Sequence, residues 1–132
     1  TETDYIESNI TLFGRAKVKE GRLSPIFFAA QSGNSQLIEY LVSKRAKVNA
    51  RSAFGATPLM YAVNNNQLEA TKTLIALGAD VNATMDEDLA ASPELANAGL
   101  GNYEEISTAY RRAKKNGNEE ILDVLRKAGA RP

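Results

Sequence analysis

A 33-residue period constrains this chain more than any other feature. The stretch Ser24–Ala50 (SPIFFAAQSGNSQLIEYLVSKRAKVNA) aligns without a gap on Thr57–Ala83 (TPLMYAVNNNQLEATKTLIALGADVNA). Pro25 falls on Pro58, Ala29 on Ala62, Leu41 on Leu74, Val48 on Val81 and Asn49 on Asn82. A third copy, Thr108–Ala130 (TAYRRAKKNGNEEILDVLRKAGA), fits after 18 extra residues, with Gly117 on Gly33, Leu125 on Leu74 and Gly129-Ala130 on Gly78-Ala79. Self-similarity at this interval is the mark of stacked units, each too small to bury its apolar face alone.

Each copy reads as helix, turn, helix, loop. Thr57 suits an N-cap, and Pro58 sits at the first helical position, where its missing N–H costs nothing. Ala29 and Ala62 are small where two helices must approach. Gly33 and its counterpart Asn66 tolerate the left-handed backbone of a tight turn. The second helices carry apolar residues at helical spacing: Leu37, Ile38, Leu41 and Val42; Ala70, Leu74 and Ile75; Ile121, Leu122 and Leu125. Gly78 and Gly129 follow as left-handed C-caps, so GADVNA is the exit from a helix into a loop.

Composition closes off much chemistry. The chain has no Cys, His or Trp and a formal charge of zero. Without Cys there is no disulfide, thiolate nucleophile or sulfur-ligated metal. Without His there is no Ser-His-Asp relay and no His-containing zinc site. A neutral chain has no overall field drawing it to nucleic acid or an anionic membrane, and no run approaches the ~18 apolar residues of a membrane span. Absent Cys suits an oxidising compartment, so an exported, periplasmic setting is favoured slightly over the cytoplasm. The start at Thr1 fits an upstream segment having been removed.

The ends of a short array need covering. DYIESNITLFGRAKV closes on Arg15–Val18, the same string as Arg45–Val48. It reads as a half-repeat, a helix over about Asp4–Phe13 that covers the first copy with Ile6, Ile10 and Phe13. Arg111–Lys115 (RRAKK) and Arg126-Lys127 make the last copy polar, as a cap facing water should be.

The inserted stretch Thr84–Ile106 holds six acids (Asp86, Glu87, Asp88, Glu94, Glu104, Glu105) and no base, in a chain otherwise positive by six. It also holds Leu89, Leu95, Leu100, Tyr103 and Ile106. SPEL at Ser92 predicts a short capped helix stopped by Gly99. Asn102 followed by Glu105 is a capping-box pattern, which predicts that the third copy's first helix begins near Tyr103. Asp86–Asp88 lacks EF-hand spacing, with Ala91 where the loop needs Gly. Paired carboxylates for glycoside hydrolysis need a pocket and one raised pKa, and neither is indicated. RRAKK lacks the interleaved aromatics of a nucleic-acid site, and Gly-rich phosphate loops are absent. Phe54, in RSAFGA, either packs beneath its own loop or stands out as a contact.

A 33-residue helix-turn-helix unit with TPL opening the first helix and GADVNA after the second resembles the ankyrin repeat, over roughly Leu23 to Ala130. The resemblance implies an all-α solenoid of stacked units with projecting finger loops. Its parts are a capping half-repeat (1–20), repeats at 21–50 and 51–83, an insertion in the finger loop (84–106) and a capping repeat (107–132). There are departures. The His usual after TPL is Phe27, Met60 or Arg111 here; Lys44-Arg45 replaces Leu77-Gly78, and Ala109 stands in place of Pro.

What the resemblance implies for function is a protein-binding module without cofactor or metal, monomeric when free. Its partner is a protein, met by finger tips and the first helices of the concave face. Carried over, those positions are Gln31 and Ser32; Arg51, Ala53, Phe54 and Ala56; Asn64 and Asn65; and Lys115 and Asn116. The insertion adds Met85, Asp86, Glu87, Asp88 and Leu89. The chain also resembles small bacterial ankyrin proteins, some of them exported inhibitors that give immunity or self-protection against a cognate enzyme. An acidic, partly apolar finger suits an enzyme with a basic or cleft-like site. The rival readings are an adaptor that docks a partner without blocking it, and a hydrolase using the insertion's carboxylates.

Overall fold

The computed structural model describes residues 24–52, 55–87 and 103–132, and these are all helix and loop. The expected half-repeat over Asp4–Phe13 and the helix at Ser92 lie outside the described residues. In chain order the helices are α1 (Pro25–Ser32), α2 (Ser35–Ser43), α3 (Pro58–Asn64), α4 (Leu68–Ala76), α5 (Tyr103–Ile106), α6 (Ala109–Asn116) and α7 (Glu119–Lys127). The pairs α1/α2, α3/α4 and α6/α7 are the three copies. Helix α3 packs between α1 and α6, while α4 packs against α2 and touches α7.

Local chemistry sets each boundary. The Thr57 and Thr108 hydroxyls accept from the Met60 and Arg111 amides, and the Asn34 and Asn118 side chains accept from Leu37 and Ile121. These bonds satisfy backbone donors that helix starts leave orphaned. Each first helix ends on a left-handed residue: Gly33, Asn66 or Gly117, with φ of 75°, 56° and 70°. The second helices end the same way at Gly78 and Gly129, and in the first copy at Arg45, whose φ is 73°. The amide after each of these three donates back into its helix: Ala46 to the Leu41 carbonyl, Ala79 to that of Leu74 and Ala130 to that of Leu125, all at 2.9 Å.

One core runs through the stack. Ile26, Phe27, Ile38, Leu59, Val63, Leu74, Ile121 and Leu125 are fully or almost fully buried, and Leu37, Leu41, Val42 and Ile75 pack partly buried around them. Ala29, Ala62 and Ala113 sit where the helices approach closely. Phe27 meets Tyr61 edge-on, ring centroids 5.1 Å apart, joining the first two copies. Asn49 adds a polar bond between them: its amide donates to the Gly78 carbonyl and its oxygen accepts from the Asp80 amide.

A second, smaller cluster lies at the base of the insertion: Ala56, Met60, Ala83, Met85 and Ile106, with Tyr61 and Tyr103 packed on it. The capping-box reading is corrected here. Tyr103–Ile106 is a separate short helix, and the first helix of the third copy starts at Ala109. Thr108 is extended (φ −131°, ψ 162°) and caps α6, which breaks the two apart.

Candidate functional site

Repetition places equivalent side chains in register along one rim. Gln31 and Ser32 end α1, Asn64 and Asn65 end α3, and Lys115 and Asn116 end α6, and all six are exposed. Several are already engaged. Asn116 donates to the Val63 and Asn64 carbonyls at 3.3 Å, Asn65 folds back on the Tyr61 carbonyl, and the Ser32 hydroxyl returns to Ala29. The Gln31 carbonyl accepts from the Gln67 side chain of the next copy.

The described ends of the loop between the first two copies are held together by hydrogen bonds. Ser52 and Ala56 bond through their backbones at 2.9 Å, the Gly55 amide donates to Ser52, and the Ser52 hydroxyl accepts from Ala56. Gly55 is left-handed (φ 77°), and a Cβ there would stand 2.8 Å from the Asp86 amide nitrogen. The residue must be Gly both for its dihedral and for the close approach of the second finger. Arg51 spans the same two fingers. Its Nη1 donates to Gly55 within the loop and, at 2.6 Å, to Thr84, its own counterpart one period on.

The second finger keeps the same backbone pairing. The Met85 amide donates to the Ser107 carbonyl at 3.0 Å, as Ser52 does to Ala56, so the extra residues fall between these partners in the sequence. Asp86 and Glu87 are exposed at its base. Glu104 pairs with Arg111 at 3.0 Å and Glu105 with Lys115 at 3.2 Å, tying α5 to α6. These pairs line an open groove of about 410 Å³ with Tyr110, Lys114 and Pro132. Both acids are exposed and matched by a base, which is not the setting of a paired-carboxylate hydrolase. Among the described residues no three His, Cys, Asp or Glu side chains gather as metal ligands would, and no helix is long and apolar enough to cross a membrane.

Two of the residues expected at the surface are corrected. Ala56 and Met85 are 4% and 2% exposed, in the small cluster under the fingers. Met85 stands where the sequence pattern places a projecting loop, but its thioether faces Ile106 and Arg112 instead of water. Ala53, Phe54, Asp88 and Leu89 lie outside the described residues, and with Phe54 the choice between packing and contact.

The reading of RRAKK as a polar cap facing water is corrected at Arg112, which is buried. The residue is 7% exposed, and burial pulls its pKa down to about 10. Its place in the period was the available signal, since the same position holds Phe28 and Tyr61 in the other copies. The Tyr103 phenol donates to the Met85 carbonyl at 2.9 Å. Desolvation raises its pKa, and the carboxylates of Glu87, Glu104 and Asp86 add to the rise.

A family model for ankyrin repeats matches residues 7–85. The chain belongs to the ankyrin-repeat family. The ankyrin repeat domain of human ASB11 has the same fold: it superposes over 83% of this chain with a TM-score of 0.64 at 21% identity, this chain covering 41% of it. Alpha-latrocrustotoxin-Lt1a of Latrodectus tredecimguttatus is 41% identical over 66 residues, 49% of this chain and 5% of the toxin. A putative ankyrin repeat protein of Rickettsia bellii is 29% identical over 113 residues, 81% of this chain and 66% of that protein. The ankyrin-repeat and KH-domain protein mask of Drosophila melanogaster is 34% identical over 68 residues, 2% of its length. This chain thus spans only a small part of the toxin and of mask. Ankyrin repeats are protein-interaction modules, generally without enzymatic activity of their own, and the fold assigned from the period is the fold of the chain.

Proposed function

We propose that this ankyrin chain binds one partner protein and blocks it, the partner being an enzyme with a basic or cleft-like site. The observation that carries the reading is the second finger, whose 18 extra residues lie beyond the Met85–Ser107 backbone pair. Its base sets Asp86 and Glu87 in water while Met85 and Ile106 are buried beneath them. An acidic insertion whose described base leaves Asp86 and Glu87 exposed suits a cationic cleft, where charge complementarity speeds encounter and excludes wrong partners.

The test is affinity capture from the native host with two baits, followed by assay of what is caught. One bait is the full chain; the other carries an ordinary-length finger in place of 88–102. The full chain is expected to capture an enzyme and abolish its activity at stoichiometric addition. The shortened chain is expected to bind at least tenfold more weakly, about 1.4 kcal/mol. A captured enzyme that stays fully active identifies an adaptor instead. Equal binding by the two baits removes the insertion from the contact.

A further inference from the structure

The geometry points to Arg112 as the residue that fixes the two ends of the inserted finger to each other and to the third repeat. Its position in α6 belongs to an aromatic in the other copies, Phe28 and Tyr61, and here a cation is buried in its place. No ion pair among the described residues includes it; Glu104 and Glu105, on the neighbouring α5, pair with Arg111 and Lys115. A buried guanidinium without a carboxylate is unfavourable, as its lowered pKa of about 10 records.

What the cation does instead is donate to both sides of the finger. Nε donates to the Ile106 carbonyl at 2.7 Å, and Nη2 donates to the Met85 thioether at 2.9 Å. Met85 precedes the finger tip and Ile106 follows it, so one side chain spans both ends. The Met85–Ser107 backbone bond and the Tyr103–Met85 bond close the same base. An apolar side chain would fill the space at less cost but leave the Ile106 carbonyl without this donor. The planar fork of Arg reaches two acceptors at once, and the ammonium of Lys has no such fork. Arg112 therefore gives the finger base one arrangement rather than adding stability to the stack.

The use of this clasp for recognition rests on the finger-binding reading; the clasp itself is tested on the free protein. Arg112→Met and Arg112→Lys are compared with the parent by urea unfolding and by native-state amide exchange. Arg112→Met is expected to leave the unfolding midpoint unchanged or raised. The Met85 amide should then exchange at least tenfold faster while the amides of α4 keep their rates. Arg112→Lys, with its charge retained, is expected to show the same local loss and a lower midpoint. Unchanged Met85 exchange in both variants overturns the inference. Equal acceleration at Met85 and α4 overturns it too, since that marks a general stability contact, as does failure of both variants to fold. None of these results depends on a partner, so they stand apart from the capture experiment.

Discussion

Asn82 and Gly129 are bonded across the insertion: the Asn82 amide donates to the Gly129 carbonyl at 3.2 Å, and its oxygen accepts from the Arg131 amide at 2.8 Å. Asn49 makes the same two bonds, at the same distances, to Gly78 and Asp80. The period therefore survives 18 extra residues at the level of individual hydrogen bonds. Asn82→Ala is expected to cost about 1–3 kcal/mol, two solvent-facing bonds at ~0.5–1.5 kcal/mol each. Urea titration reads the loss, and exchange at the Arg131 amide should rise before that of α7. An unchanged midpoint and an unchanged Arg131 rate would show that water replaces both bonds without cost.

Arg45 holds the left-handed position that Gly occupies at 78 and 129. A Cβ in that region costs about 1–2 kcal/mol, partly offset by the greater freedom of Gly in the unfolded chain. Arg45→Gly is accordingly expected to stabilise the fold by about 0.5–1 kcal/mol. The check is a raised thermal midpoint; a lowered one would mean the Arg side chain contributes more than its backbone costs.

Leu74 is fully buried between the second helices of the stack. Leu74→Ala should destabilise by about 2–5 kcal/mol, because the helices on either side cannot close around the space. Set against a total stability of ~5–15 kcal/mol, that loss should leave much of the variant unfolded on warming. Far-ultraviolet circular dichroism with temperature checks it.

Tyr103 gives a pH dependence with a definite sign. Its phenol holds its proton more tightly in the folded chain, through desolvation first and then the charges of Glu87, Glu104 and Asp86, with Arg111 opposing. The contribution is neutral below the ordinary phenol value of about 10, and stability falls as pH rises through it, because the unfolded state ionises first. Phenolate absorbance should show a late-titrating tyrosine that disappears in Tyr103→Phe. Glu87→Gln should move that transition down towards the ordinary value.

Legibility followed what a repeat states more than once. Gly33, Asn66 and Gly117 were readable as one turn because three copies show residues that tolerate the same dihedral, and the structure gives all three positive φ. The second-helix core at Ile38, Leu74, Ile121 and Leu125 followed from spacing alone. The finger base departs from the pattern because there the chain says something only once. The number of Met85 in the loop places it at the surface, but the side chain it meets, Arg112, lies 27 residues further on. The break between α5 and α6 differs from the capping-box expectation at Asn102-Glu105, because Thr108, one period and the insertion on from Thr57, is extended and caps α6.

The sequence by itself determined the unit, its period and the site of the insertion, because helix caps, turn dihedrals and apolar spacing act within a few residues of their cause. Only the tertiary structure decided what each repeated residue is used for. Asn49 and Asn82 read locally as loop residues, yet each bonds the backbone of the next copy. Arg112 reads as part of a solvated basic run, yet it is buried under the finger. Burial and partnership belong to pairs of segments brought together by stacking, and a side chain's neighbours in the stack lie a period or more away along the chain.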